Sequence, residues 1–141
     1  MVTGILVQLH AHQADVKAAI AESRALLAAE SIDLLATANA RWRFTRLLTG
    51  YQMFKHQRIF DPLSRHGSAG DAAAARQLKI GCIATGETFR AHLARWNPSG
   101  IEANEAEYRR ATRGMIAMIE RHMLTERRDI EALLAPEKRV A

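Results

Sequence analysis

The chain has 141 residues, with 20 Lys and Arg against 15 Asp and Glu, so its formal net charge is +5. Apolar residues make up 48% of the sequence, which excludes a mainly disordered chain and is typical of a globular domain. The 8 Gly, 3 Pro and 1 Cys exclude collagen-like, low-complexity and disulfide-held classes. This length predicts a single domain over residues 1–141.

Long segments in which apolar residues recur at spacings of three and four predict an all-α protein. The first helix is predicted over residues 4–29, with an inward stripe from Ile5 to Leu27 that includes His12. The second helix is predicted over residues 31–63, with Ser31 as its N-cap and a stop near Pro62.

The second predicted helix carries two apolar stripes. One consists of Leu34, Ala38, Trp42, Leu48, Gln52, His56 and Ile59. The other consists of Phe44, Leu47, Tyr51 and Phe54. Because only one stripe is needed for the core, the other would stay exposed in a monomer. We therefore expect the stripe from Phe44 to Phe54 to form the interface of a dimer.

The third helix is predicted over residues 71–96 with Asp71 as its cap, and the fourth over residues 100–134. The segment from Ser99 to Glu102 has the S-x-x-E form of a capping box. Short connections between long helices predict antiparallel neighbours. The expected architecture is therefore a single up-down-up-down antiparallel four-helix bundle.

Several histidines lie on or near the predicted inward stripes. His122 and Glu126 are one helical turn apart on one face, and bundle cores build metal sites from such residues. His56 lies one turn from the level of His122, and His66 lies in the loop at that end of the bundle. These residues, His56, His66, His122 and Glu126, form a candidate metal site. The alternative is that they only hydrogen-bond to one another and to water.

Three segments resemble the hemerythrin-like (HHE cation-binding) family. They are the H-x-x-x-E element His122–Glu126, the second-helix end Tyr51–Leu63, and the third-helix segment Phe89–His92. The resemblance implies a four-helix bundle with a di-iron centre held by His and carboxylate side chains. This chain has Gln52 and His56 where the family's second helix has His and Glu. We therefore expect a degenerate metal site with no cofactor, and iron is the alternative.

Heights along the bundle give a second test of metal binding. With turns near residues 30, 67 and 98, His12 and His122 fall about eleven residues apart, or roughly 16 Å. His92 falls at a third height. Since two ligands of one ion need to be about 4 Å apart or less, the count predicts that these histidines share no metal.

Three hypotheses for function follow. The first is a non-enzymatic binding, sensor or interaction module, and the second is an iron- or oxygen-binding domain with altered ligands. The third is a basic DNA-associated or phosphotransfer regulator. Acidic residues interleave with the arginines of the fourth helix, which argues against a nucleic-acid partner. We expect a homo-oligomer or a protein partner and no enzymatic activity.

The sequence also carries expectations about location. No apolar run approaches the roughly 20 residues that a membrane span needs. The first residues lack a basic region and a small-residue cleavage site, so no signal peptide is expected. One cysteine, Cys82, fits a reducing compartment. We therefore expect a cytoplasmic protein with no membrane contact.

Overall fold

The computed structural model describes residues 2–135, with side chains described from residue 4 onward. Its elements in chain order are α1 (Val2–Ala28), α2 (Leu34–Lys55), a π-helical turn (His56–Phe60), α3 (Asp61–His66), α4 (Ala69–Arg95), α5 (Pro98–Ala103) and α6 (Glu105–Leu133). No strand occurs within residues 2–135, so the prediction of an all-α fold is confirmed. None of the helices described is both long and apolar enough to cross a bilayer.

The long helices bury a common apolar core. Helix α1 packs along α2 and α6, and α4 packs against α3, the π-helical turn and α6. The core residues include Leu9, Val16, Phe44, Leu48, Phe60, Cys82, Phe89, Ile116, Ile119 and Ile130. Removing these side chains from water supplies the main favourable term in folding.

The N-caps of the second and third predicted helices differ from those expected. The Asp33 carboxylate, rather than Ser31, accepts the N–H of Ala36 at 3.0 Å at the start of α2. The Ser68 hydroxyl accepts the N–H of Asp71 at 3.1 Å at the start of α4. A cap must have non-helical backbone immediately before the first turn, and apolar spacing alone does not fix that residue.

The fourth predicted helix is two helices. Asn97 caps the short α5 and Asn104 caps α6, each with its side-chain carbonyl. Ser99 and Glu102 lie inside α5, so the capping box predicted from them is wrong. Because α5 occupies residues 98–103, α6 begins at Glu105 rather than at residue 100 as predicted.

The second predicted helix is interrupted by the π-helical turn. There the N–H of Asp61 donates to the carbonyl of His56, five residues back. Pro62 follows directly and has no N–H, and its ring would clash with a carbonyl four residues back in a regular α-helix. The wider π turn gives that ring room, and the chain stays helical to His66 rather than ending at residue 63.

The stripe predicted to form a dimer interface belongs to the core. Phe44, Tyr51 and Phe54 are buried within the chain itself, and Leu47 packs partly buried against them. These side chains are not available to join two folded copies, so that assignment of the interface is wrong. Trp42, predicted in the core, is 61% exposed. Periodicity shows that a helix has two apolar faces, but it does not show which one turns inward.

The heights predicted for the histidines also need correction. The amide of Gln13 donates to the Tyr51 hydroxyl at 2.9 Å and to the carbonyl of Met123 at 3.0 Å. His12 and His122 are the chain neighbours of Gln13 and Met123, so they lie near one height rather than eleven residues apart. Helix α5 lies between α4 and α6, so the last turn comes later than residue 98, and an error in one turn carries over to the height of every later helix.

Candidate functional site: a buried ionic network

A buried ion pair lies where α2 meets α6. The ammonium nitrogen Nζ of Lys55 is 2.6 Å from Oε1 and 2.6 Å from Oε2 of Glu126. Each side chain is only 1% exposed. Lys and Glu are almost never buried this fully unless they are paired, because dehydrating each ion is costly by several kcal/mol. The pair is therefore the most specific polar feature of the core.

Tyr51 and Gln13 extend the pair toward α1. The Tyr51 hydroxyl donates to Oε1 of Glu126 at 2.7 Å, and the Gln13 amide donates to that hydroxyl at 2.9 Å. Nζ of Lys55 also lies 3.9 Å from the centroid of the Tyr51 ring, as in a cation–π contact. Burial and the charge of Glu126 raise the pKa of Tyr51, so the phenol keeps its proton.

His122 adds a second positive charge. Its Nε2 lies 3.1 Å from Oε2 of Glu126, one helical turn away. Burial works to lower the pKa of His122, but Cys82 and the Glu126 carboxylate together raise it to about 9. Burial works to raise the pKa of Glu126, and His122 and Lys55 together lower it below its ordinary value. At neutral pH the site therefore holds two cations and one anion.

Cys82 interacts with both His122 and His56. Nε2 of His56 is 3.3 Å from the Cys82 sulfur, and the thiol is fully buried. Burial, together with the charges of Lys79 and Lys55, lowers the pKa of His56. His56 is therefore neutral at pH 7, whereas His122 is protonated.

The predicted metal-site residues are brought together only in part. His122 and Glu126 are in contact, and Cys82 interacts with both His56 and His122. His66 is exposed at the end of α3, and the structure does not join it to the others. Across residues 2–135 there is no group of three or more His, Cys, Asp or Glu that suits a metal ion. Both oxygens of Glu126 are already held by the ammonium of Lys55, so this donor set does not fit an ion.

The sequence pattern did not identify Lys55 and Gln13 as site residues, and it assigned Tyr51 to a dimer interface. A signal was present, because Phe44, Leu48, Tyr51 and Lys55 follow each other at spacings of four and three on one face. A lysine on such an apolar stripe indicates a buried partner of opposite charge. Glu126 occupies the matching position between Met123 and Ile130 on α6.

A second polar cluster lies nearer the other end of the long helices. Nε2 of His92 is 3.1 Å from the Thr112 hydroxyl, and burial together with the Arg41 charge lowers the pKa of His92 to about 4. The adjoining cavity measures about 30 Å³ and is lined partly by Thr37 and Phe44. That volume accommodates about one water molecule. This cavity is therefore too small for an organic ligand.

Several arginines of α2 and α6 are engaged within the chain. Arg43 pairs with Glu22 at 2.5 Å, and Arg41 donates to the carbonyls of Trp96 and Leu93. Arg109 donates to backbone carbonyls at the end of α1 and in the loop that follows it. These contacts reduce the cationic surface that a phosphate backbone would need.

Comparison with protein-family models, with curated proteins and with solved structures finds no match to this chain.

Proposed function

We propose that the chain is a non-enzymatic sensor or interaction module, built as an up-down-up-down four-helix bundle with a degenerate metal site. In this proposal the ion pair of Lys55 with Glu126 stands where a hemerythrin-like domain would hold its metal. The observation that carries the proposal is the Lys55 ammonium, held 2.6 Å from each oxygen of Glu126 in the core.

Two features of the network oppose a metal ion. The ammonium of Lys55 lies against both oxygens of Glu126, so a metal cation at this carboxylate would have to displace that positive charge or lie beside it. His122, with a pKa raised to about 9, is an imidazolium at neutral pH, and metal binding requires neutral imidazole. The two strongest candidate ligands, His122 and Glu126, are therefore occupied by a proton and by Lys55.

The burial of the network also favours a role without catalysis. Tyr51, Lys55 and Glu126 are each about 1% exposed. A substrate cannot reach these groups without opening the helices, and general acid–base catalysis requires hydrogen-bond reach to the reacting atom. The network is better suited to fixing the register of α1, α2 and α6.

Metal content tests this proposal. The full chain, purified without chelators, is expected to contain far less than one iron per molecule by elemental analysis and to show no iron absorption band. Stoichiometric iron that is lost in His122→Ala and retained in His10→Ala would overturn the proposal. His10 is a matched control because it is a half-exposed histidine paired with Glu131, outside the network.

The alternative function is an iron- or oxygen-binding domain with altered ligands at His56, His122 and Glu126. The 3.1 Å contact between His122 and Glu126 is the observation that favours it. Under this alternative, Lys55→Met would free both oxygens of Glu126 and raise iron content further. Under our proposal that variant stays free of iron.

A further inference from the structure

The cavity of about 30 Å³ lies between α1, α2, α4 and α6, and none of the residues of the buried ionic network lines it. Its wall combines apolar side chains with hydroxyls, one imidazole and one guanidinium. The polar members are Ser23, Thr37, Arg41, His92, Tyr108 and Thr112. No Asp or Glu is among the described residues that line it. The wall therefore carries a positive charge and hydrogen-bond donors with no carboxylate to oppose them.

Arg41 is a half-buried cation in this wall. Its guanidinium donates to the carbonyls of Leu93 and Trp96 at the end of α4, which leaves three of its five N–H groups for another acceptor. Among the described residues Arg41 forms no ion pair with an acidic side chain. Burial lowers the pKa of Arg41, because the charge is held partly away from water. An anion in the cavity would offset this cost.

Thr37 supplies a hydroxyl that no described residue uses. It lies one helical turn before Arg41 on the same face of α2, and the residue is only 5% exposed. Its Oγ1 is buried and has no hydrogen-bond partner among the described residues. A buried hydroxyl without a partner costs free energy, so a ligand that accepts its proton would be stabilising. Because Thr37 and Arg41 both line the cavity, an acceptor placed there faces both groups.

His92 limits the charge that the cavity has to balance. Its Nε2 is 3.1 Å from the Thr112 hydroxyl, and burial together with the Arg41 charge lowers its pKa to about 4. The imidazole is therefore neutral at pH 7 and adds no second positive charge. The single charge of Arg41 is matched by one monovalent anion.

The size of the cavity limits the ligand to about one atom. A volume of about 30 Å³ accommodates about one water molecule, whereas sulfate and phosphate each have five heavy atoms. A metal cation would be repelled by the guanidinium. A water molecule would satisfy the Thr37 hydroxyl but would leave the charge of Arg41 unopposed. A halide meets the requirements of both size and charge.

We propose that this cavity binds a chloride ion, held by the guanidinium of Arg41 and the hydroxyl of Thr37. Bound chloride would give the proposed module a small inorganic ligand. The buried network contributes no residue to the cavity, so metal content and chloride binding test the two proposals separately.

Chlorine NMR of sodium chloride tests the binding, because exchange with a site on the protein broadens the resonance of the free ion. Wild type is expected to broaden it, and Arg41→Met should remove most of the broadening. Thr37→Val keeps the shape of the side chain and should weaken binding about tenfold or more, because a hydrogen bond to a charged group is lost. Arg46→Met and Thr49→Val are matched controls, since both residues are exposed on α2 and outside the cavity. Broadening that is unchanged in Arg41→Met and Thr37→Val would assign the chloride to surface arginines and overturn the proposal.

Urea denaturation gives a second measurement. The unfolding midpoint of wild type should rise with sodium chloride but not with sodium gluconate at the same ionic strength, because gluconate is too large for the cavity. Thr37→Val should lose most of this difference, and Thr49→Val should keep it. Thr37→Val also decides the outcome if Arg41→Met, which loses two bonds to the end of α4, does not fold. Equal midpoints of wild type in the two salts would mean that the cavity holds water alone, and the proposal would be wrong.

Discussion

Lys55 is stabilised in the core only by its partners, so removing its charge tests the buried network directly. Lys55→Met keeps most of the apolar stem but leaves Glu126 buried without its ammonium. Breaking a buried pair in this way typically lowers the free energy of unfolding by about 3–5 kcal/mol. We expect a loss of that size in urea denaturation followed by circular dichroism.

The double variant Lys55→Met/Glu126→Leu shows whether the loss comes from the uncompensated charge. Replacing both ions by apolar groups of similar volume is often neutral or stabilising, so the double variant should be more stable than Lys55→Met alone. The exposed pair of Arg24 and Glu120 supplies the control, since Arg24→Met at the surface should change stability far less than Lys55→Met does. A double variant less stable than Lys55→Met would contradict the importance of the ion pair.

The raised pKa of His122 predicts a specific dependence of stability on pH. The folded chain keeps this proton to about pH 9, whereas the unfolded chain releases it near 6.5. The stabilising contribution is therefore complete below about pH 6.5 and is lost as pH rises through about 9. The expected loss of unfolding free energy across this window is on the order of 3 kcal/mol.

Urea denaturation at a series of pH values from neutral to alkaline measures this loss. His122→Gln should flatten the curve, because it removes the titrating group, and the half-exposed His10→Gln should leave it unchanged. If His122→Gln keeps the wild-type slope, another group is responsible for the pH dependence.

At the scale of elements, the helix caps found in the structure differ from those that the sequence pattern predicts. Asn104 accepts the N–H of Glu107 at 3.2 Å and donates to its carboxylate at 2.9 Å at the start of α6. Asn104→Ala should lower the free energy of unfolding by about 1 kcal/mol. Ser99→Ala, which changes the serine of the predicted capping box, should have almost no effect. Thermal unfolding of the two variants under one condition compares them, and the reverse order would restore the capping box.

Helix ends could be predicted where the sequence contains strong start and stop signals. The first and third predicted helices, at residues 4–29 and 71–96, match α1 and α4 within two residues at each end. The Ala-rich start of α4 and the Asn97-Pro98 stop carry that information in the sequence. The π-helical turn was not predictable, because a search for 3.6-residue periodicity assumes the regular helix that the turn interrupts. Pro62 indicated that the regular helix is interrupted near this point, but it did not indicate that the interruption is a π-helical turn.

At the scale of the whole molecule, local contacts were predictable and distant ones were not. His122 and Glu126 meet because they are four residues apart on one helix, which the sequence states directly. Lys55 meets Glu126 only because α2 and α6 settle into one register against each other. A misplaced turn changes every later height, and the turn counted from residue 98, which left out α5, moved His122 away from its true neighbours. The partners of the buried ion pair therefore could not be read from the spacing alone.

The rotation of α2 about its own axis determines which of its side chains lie in the core and which are exposed. The Phe44 ring is 2% exposed and its centroid lies 5.2 Å from that of Phe89, whereas Trp42 is 61% exposed. Phe44→Ala should therefore lower the free energy of unfolding by about 3–5 kcal/mol. Trp42→Ala, on the opposite face, should change the intrachain stability by about 0.5 kcal/mol or less.

Both values are measured by urea denaturation at protein concentrations low enough that association does not contribute. A larger loss for Trp42→Ala than for Phe44→Ala in dilute solution would mean that α2 is turned with its tryptophan inward. The stripe from Phe44 to Phe54 would then be the exposed one.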